Sequence, residues 1–233
     1  PYSIDFTARD GEGLTATKTA LITVIPPDGS VLDVEALAPG AVTHDLSVLG
    51  EVDWKHFGLE RVTSVNRKAG VPDQIGSYTL VGATSVRRYD ASVTSRQSAA
   101  WTDGTPVATH PGTGAGLFVA GRGAGFTLSL PACATERTAH LLLGGWKSRA
   151  LLQVELSDGS APASSVWFED LGGVYDRLVV VRYRAAADGQ ALQIRYVAES
   201  VTGNVTLAAV TLAGAAVIPP DGSVLDVEAL APG

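Results

Sequence analysis

A chain of 233 residues, 45% hydrophobic and 18% charged, is long enough to bury one substantial core with a fragment beside it. Its net charge of −7, with no cluster of Lys and Arg, argues against a nucleic-acid partner, because phosphate contacts need cations. Its single cysteine, Cys133, excludes an intrachain disulfide, and no apolar run is long enough to span a membrane as a helix.

The first residues alternate. Tyr2, Ile4, Phe6 and Ala8 fall on one side, and Ser3, Asp5 and Thr7 on the other. Residues 10–13 read DGEG, a turn signal, and alternation resumes from Leu14 through Ile22 to Val24. The pattern predicts a β-hairpin. A lone hairpin is marginal in water, so residues 1–25 are expected to complete a sheet supplied from elsewhere.

Residues 26–40 read as a connector. Pro26 and Pro27 stiffen its start, Asp28-Gly29 turns, and Ala38-Pro39-Gly40 closes it. Its middle is too apolar to float in solvent. Val31, Leu32, Val34 and Leu37 are expected to pack on a neighbouring module, as an added strand in one form. Residues 24–40 read VIPPDGSVLDVEALAPG, and residues 217–233 repeat them letter for letter. Residues 217–233 are therefore a second copy of the connector, in which Val224, Leu225 and Leu230 hold the matching positions. Identical connectors on both sides of a module are expected of a longer repetitive polypeptide.

Residues 41–216 form the main module. Short apolar or alternating runs recur at 78–81, 117–120, 126–130, 140–143, 151–156, 178–183, 192–198 and 205–212, with Gly, Pro, Asp and Ser between them. Such spacing predicts an all-β fold, an antiparallel sandwich or jelly roll. No segment keeps a 3.6-residue period, although 53–59 could make a short helical turn.

Few motifs carry chemistry. The chain has four tryptophans, and Trp54, Trp101, Trp146 and Trp167 are candidates for sugar contact, since a pyranose offers an apolar face to an aromatic ring. The competing reading is that they fill the core. Asp53 and His56 flank Trp54 and could bond ligand hydroxyls, or could pin the strand to its neighbours. Arg67-Lys68 could clamp an anion or pair with surface acids. Asp103, Asp158 and Asp188 each precede a Gly and read as turn formers; their oxygens would also suit one structural calcium, but no calcium-loop spacing appears. The ligand-binding candidates are thus Trp54, His56, Trp101, Asp103 and Trp146. His44, His56, His110 and His140 show no zinc spacing, so no metal or other cofactor is expected. The glycines between 112 and 125 lack the GK[ST] of a phosphate loop. Glu155, Asp158, Glu169 and Asp170 could pair as glycosidase acids only if the fold brought two of them together, and acidic turns explain them as well. The chain is expected not to be an enzyme.

Two resemblances add to this reading. FTARDGEGLTATKTALITV resembles the last two strands of cadherin-like or other immunoglobulin-like modules of bacterial surface proteins. DWKHFGLE (53–60), NRKAG (66–70), WTDGTP (101–106), GAGFTLSLPA (123–132), RTAHLLLGGW (137–146) and LSDGSAP (156–162) together resemble a β-sandwich module of large bacterial extracellular proteins. The second resemblance implies an extracellular or cell-surface location and a non-catalytic, jelly-roll-like role in adhesion or carbohydrate binding. The alternative is a filament or scaffold subunit, joined to neighbouring copies through its connectors and by strand addition. The expected partners are a glycan or further copies of the chain.

Overall fold

The computed structural model describes residues 29–214 and, for their backbone, strands β1 (Tyr2–Arg9) and β2 (Thr15–Ile22). These two pair antiparallel, with Tyr2 opposite Ile22 and Arg9 opposite Thr15. This is the hairpin that the alternation predicts. Its turn at 10–14 and the second connector at 217–233 lie outside the described residues.

The body runs through β3 (Val31–Leu37), β4 (Thr43–Asp45), α1 (Leu46–Leu49), β5 (Asp53–Phe57), β6 (Val65–Lys68), β7 (Thr79–Val81), β8 (Arg87–Tyr89) and β9 (Ser98–Trp101). It continues through β10 (Gly104–Thr105), β11 (His110–Thr113), β12 (Gly116–Ala120), β13 (Gly125–Ala132), β14 (Arg137–Leu156), β15 (Ser164–Arg184), β16 (Gln190–Ala198) and β17 (Asn204–Ala213). Among the described residues every strand pair is antiparallel except β4 with β9. The expected all-β antiparallel sandwich is present.

Two long strands build it. β14 and β15 pair as one ribbon, from Arg137 opposite Tyr183 to Val154 opposite Ser164. The first half of β14 pairs with β17, and β17 carries β5 and β12 along its other edge. The second half of β14 pairs with β16, followed by β13 and β7. One ribbon thus serves two layers. They enclose a common core in which Leu141, Leu143, Val181 and Leu207 of the first layer join Phe126, Leu152, Ile194 and Tyr196 of the second. Each such side chain contributes about 1.5–3 kcal/mol by leaving water.

The ribbon changes layer at a bulge between Trp146 and Ser148, where Lys147 takes a positive φ of 46°. Gly203 fits beneath it; a Cβ there would run into the carbonyls of Trp146 and Lys147. Tyr196 donates its hydroxyl to the Gly144 carbonyl at 2.8 Å, and Ser148 donates to the Asn204 carbonyl at 2.7 Å. These buried bonds tie both layers to the bend.

Two expectations are corrected here. Residues 53–59 do not form a helical turn: Asp53–Phe57 is a strand buried at all five positions, hence its lack of alternation. The helical turn is α1, capped by Asp45, which accepts from the amides of Ser47 and Val48. Gly144 and Gly145 do not end a strand either. They let Tyr175 approach β14, since a Cβ on Gly145 would meet the Tyr175 hydroxyl at 2.5 Å. Residues 31–37, expected to pack on a module as an added strand, form an edge strand. They run beside β15 with Leu37 opposite Leu178 and Val31 opposite Arg184.

Candidate functional site

The outward face of the second layer carries a groove of about 490 Å³. It follows from alternation. In β14, Ala150, Leu152 and Val154 point into the core, so Leu151, Gln153 and Glu155 point out. In β16, Leu192, Ile194 and Tyr196 point in, so Gln193 and Arg195 point out. In β13, Phe126, Leu128 and Leu130 point in, leaving Thr127 and Ser129 outside.

Register then aligns these residues into rows across the sheet. One row runs Thr79, Thr127, Arg195, Gln153, Ser165 over five adjacent strands. The next runs Ser129, Gln193, Glu155. Both rows line the groove. Arg195 donates from Nη1 to Oε1 of Gln153 at 2.9 Å, which turns the Gln153 amide so that its NH₂ is left to donate elsewhere. The hydroxyls of Thr79 and Thr127 are hydrogen-bonded to each other.

On the other side of the first row lies an apolar one: Val81, Gly125, Val197, Leu151, Trp167. Trp167 is 50% exposed. The Arg149 guanidinium lies over its ring, 4.1 Å from the centroid, and is held 3.7 Å from the Glu169 carboxylate. Ser165 and Trp167 sit two residues apart on one face of β15, about 7 Å by strand geometry. The surface therefore offers an aromatic platform beside a belt of hydroxyl, amide, guanidinium and carboxylate groups. That combination can stack on an apolar ring face and bond the hydroxyls around it. Glu155 is the one carboxylate among the residues lining this groove.

Of the sequence-based tryptophan candidates, Trp167 flanks this groove and the others fall elsewhere. Trp54, His56 and Trp101 are buried to 1% exposure or less, in a second small core with Leu46 and Leu142. Trp101 stacks on Trp54, His56 and His110, with centroids 5.1–5.4 Å apart. Rings so enclosed present no face to a ligand, so sugar contact does not extend to them. His56 donates from Nε2 to the Ala115 carbonyl at 3.1 Å. Burial, reinforced by Arg88 and His110, holds its pKa down to about 4 against the opposing pull of that bond. Asp53 pins its neighbourhood through the amides of Trp54 at 2.9 Å and Gln74 at 2.8 Å.

Asp103 is a structural knot. It accepts from Trp54 Nε1 at 2.9 Å and Ser47 Oγ at 2.6 Å, and pairs with Lys68. Desolvation works against its charge, but the bonds from Lys68, Ser47 and Trp54 prevail and hold its carboxyl below the usual range. Asp158 and Asp188 likewise accept local amides, from Ser160 and Ala186, and from Ala134. Among the described residues no group of three or more His, Cys, Asp or Glu side chains is placed to hold a metal. Nor, among them, is any helix long and apolar enough to cross a membrane.

Trp146 is exposed, opposite Val174 at the bulge, with Lys147 Nζ 5.2 Å from its ring centre. Among the connector residues, Val31, Leu32 and Val34 are half-buried on the module's own sheet and Leu37 is exposed; Val224, Leu225 and Leu230 lie outside the described residues. A smaller groove of about 340 Å³ lies between Arg88 and His110. There Arg88 is already bonded to the carbonyls of Gly58 and Leu59 and to Asp90.

Fold and groove together define an all-β sandwich with a polar, aromatic-flanked groove. No protein-family model matches the sequence, and no curated protein matches it. Among solved structures, the chain is similar to Xylanase10C from Cellvibrio japonicus in complex with xylopentaose, with 14% identity and a TM-score of 0.32 over 43% of this chain. The match spans 23% of that xylanase chain, under a quarter of its length. It is also similar to TmCBM61 in complex with β-1,4-galactotriose, with 13% identity and a TM-score of 0.36 over 59% of this chain and 88% of the other. For the xylan-binding module CBM15 the values are 16% identity and a TM-score of 0.28, over 60% of this chain and 97% of the other.

Proposed function

We propose that the outward face of the second layer binds a glycan, and that the chain is a non-catalytic carbohydrate-binding module of a secreted, repetitive surface protein. The observation that carries this reading is the row Thr79, Thr127, Arg195, Gln153, Ser165 lying beside an exposed Trp167. Its polar groups suit an extended, uncharged oligosaccharide, because Arg195 and Glu155 balance each other in charge. The groove lining supports a non-catalytic reading: it holds one carboxylate, Glu155, where glycoside hydrolysis ordinarily uses two flanking the bond. In this reading the module attaches its parent protein to a sugar-coated surface, which is adhesion in effect.

A glycan array followed by calorimetry tests it. Binding to at least one neutral oligosaccharide, weakened by Trp167→Ala and Gln153→Ala, is the expected result. No binding across a broad array, or binding lost with Trp146→Ala and unchanged by the groove variants, would remove the proposal.

A second reading rests on a different observation. The connector strand β3 already lies on a sheet edge, which favours a scaffold joined by strand addition between modules.

A further inference from the structure

The sheet edge formed by residues 178–184 of β15 accepts one seven-residue strand, and the chain contains that strand twice. β3 occupies the edge as VLDVEAL, and residues 224–230 read VLDVEAL again. Every feature that seats β3 belongs to that sequence or its flanks. Leu32 and Val34 pack against the main core. Asp33 lies 3.3 Å from Arg182, and Arg184 is bonded to the Gly29 carbonyl. The second copy supplies Leu225, Val227, Asp226 and Gly222 at the same spacings.

The topology also places the second copy within reach. Ala213, at the end of β17, lies opposite Thr138; Thr138 lies opposite Arg182; and Arg182 lies opposite Asp33. Ala213 and Asp33 thus share one cross-strand row, three strand spacings or about 14 Å apart. Residues 214–223 precede the second copy and can extend to about 33 Å. Direction agrees as well. β17 runs parallel to β15, and β3 runs antiparallel to it, so a chain leaving β17 reverses once and enters at the Arg184 end, where β3 begins.

We propose that residues 224–230 are an alternative occupant of the β3 site on their own chain, so that one edge is served by two interchangeable strands. When the second copy is seated, residues 29–37 leave the sheet, carrying the hairpin of β1 and β2 with them while the module stays closed. The connector is then a strand-exchange element as well as a spacer. Intramolecular docking prevails at dilution, since a short tether presents the strand at an effective concentration in the millimolar range.

The test uses the full chain with three sets of substitutions: Leu32→Asp with Val34→Asp, Leu225→Asp with Val227→Asp, and all four together. Each double variant is expected to unfold in urea near the unsubstituted midpoint, and the quadruple variant well below it. In the Leu32→Asp/Val34→Asp chain, amide exchange at 178–184 should stay slow, while exchange at 224–230 slows about tenfold or more. Light scattering should report a monomer at every concentration. The proposal fails if that double variant unfolds as early as the quadruple one, or if 224–230 gains no protection. It also fails if the variant assembles with rising concentration, which would mean that the second copy docks on another chain.

Discussion

The Arg149 guanidinium lies 4.1 Å from the centre of the Trp167 ring, so this exposed aromatic beside the groove is held in place by a cation. Such a contact is worth about 0.5–1 kcal/mol at an exposed site and orients the indole as well. Trp167→Ala is expected to weaken glycan binding about tenfold or more, equivalent to about 1.4 kcal/mol. Arg149→Ala, which releases the ring without removing it, should cost less. Each variant should lower stability by little more than the about 0.5–1 kcal/mol of that contact, because both side chains are exposed; titration calorimetry and urea unfolding together check this.

Asp103 separates structural from binding roles. Asp103→Ala removes the acceptor of the Trp54 indole N–H and the partner of Lys68. A buried donor left unsatisfied costs about 1–3 kcal/mol. The variant should lose stability by about that amount and retain glycan affinity, as measured by urea unfolding and calorimetry on one preparation. Loss of binding in a fully folded Asp103→Ala protein would place the site near Trp54 and Trp101 instead.

His56 gives the fold an acid sensitivity of definite sign. Its folded pKa, lowered to about 4 by burial, lies below the ordinary value of 6.5, so the unfolded chain binds the proton more tightly. Its contribution to stability is complete above pH 6.5, declines as pH falls towards 4, and changes no further below that. The full loss is about 3 kcal/mol. His140, also held near 4 chiefly by burial, acts with the same sign. Urea midpoints between pH 7 and pH 4.5 should fall, and His56→Phe should flatten that dependence. An unchanged slope in the variant would disprove the assignment.

Gly125 is needed for close approach of strands. A Cβ there would run into the Tyr196 carbonyl, at the end of the β13–β16 pairing where Gly125 faces Val197. Gly125→Ala should separate these strands, lower the melting temperature and deform the groove. Gly121→Ala is the contrast. It adds no contact within 4 Å, and its cost should be that of a φ of 100° alone.

Period-2 alternation made most of the strands legible. The inward set Leu192, Ile194 and Tyr196 and the outward set Gln193 and Arg195 can be read directly from the residues. Alternation failed in two places. Asp53–Phe57 is buried on both faces, so no period remains to be read. Residues 164–177 alternate weakly because Trp167, Glu169 and Val174 are all partly or wholly solvent-facing along the free reach of the ribbon. Trp54 and Trp101 were ambiguous for a different reason: an indole suits a core and a sugar platform equally well. Trp54 and Trp101 went inside because β5 and β9 both face the small second core, where Asp103 and Val107 accept their N–H groups.

Local chemistry thus determined the β class, the hairpin, the Asp-Gly turns and which side chains of each strand share a face, since all of these depend on residues within a few positions of one another. Only the tertiary structure decided that Thr79, Thr127, Arg195, Gln153 and Ser165 form one row, and that VLDVEAL lies on the edge of β15. Strand order and register are non-local. They are chosen by which pairing closes both layers over one core, and residues more than a hundred positions apart, such as Thr79 and Arg195, become near neighbours only when that core forms.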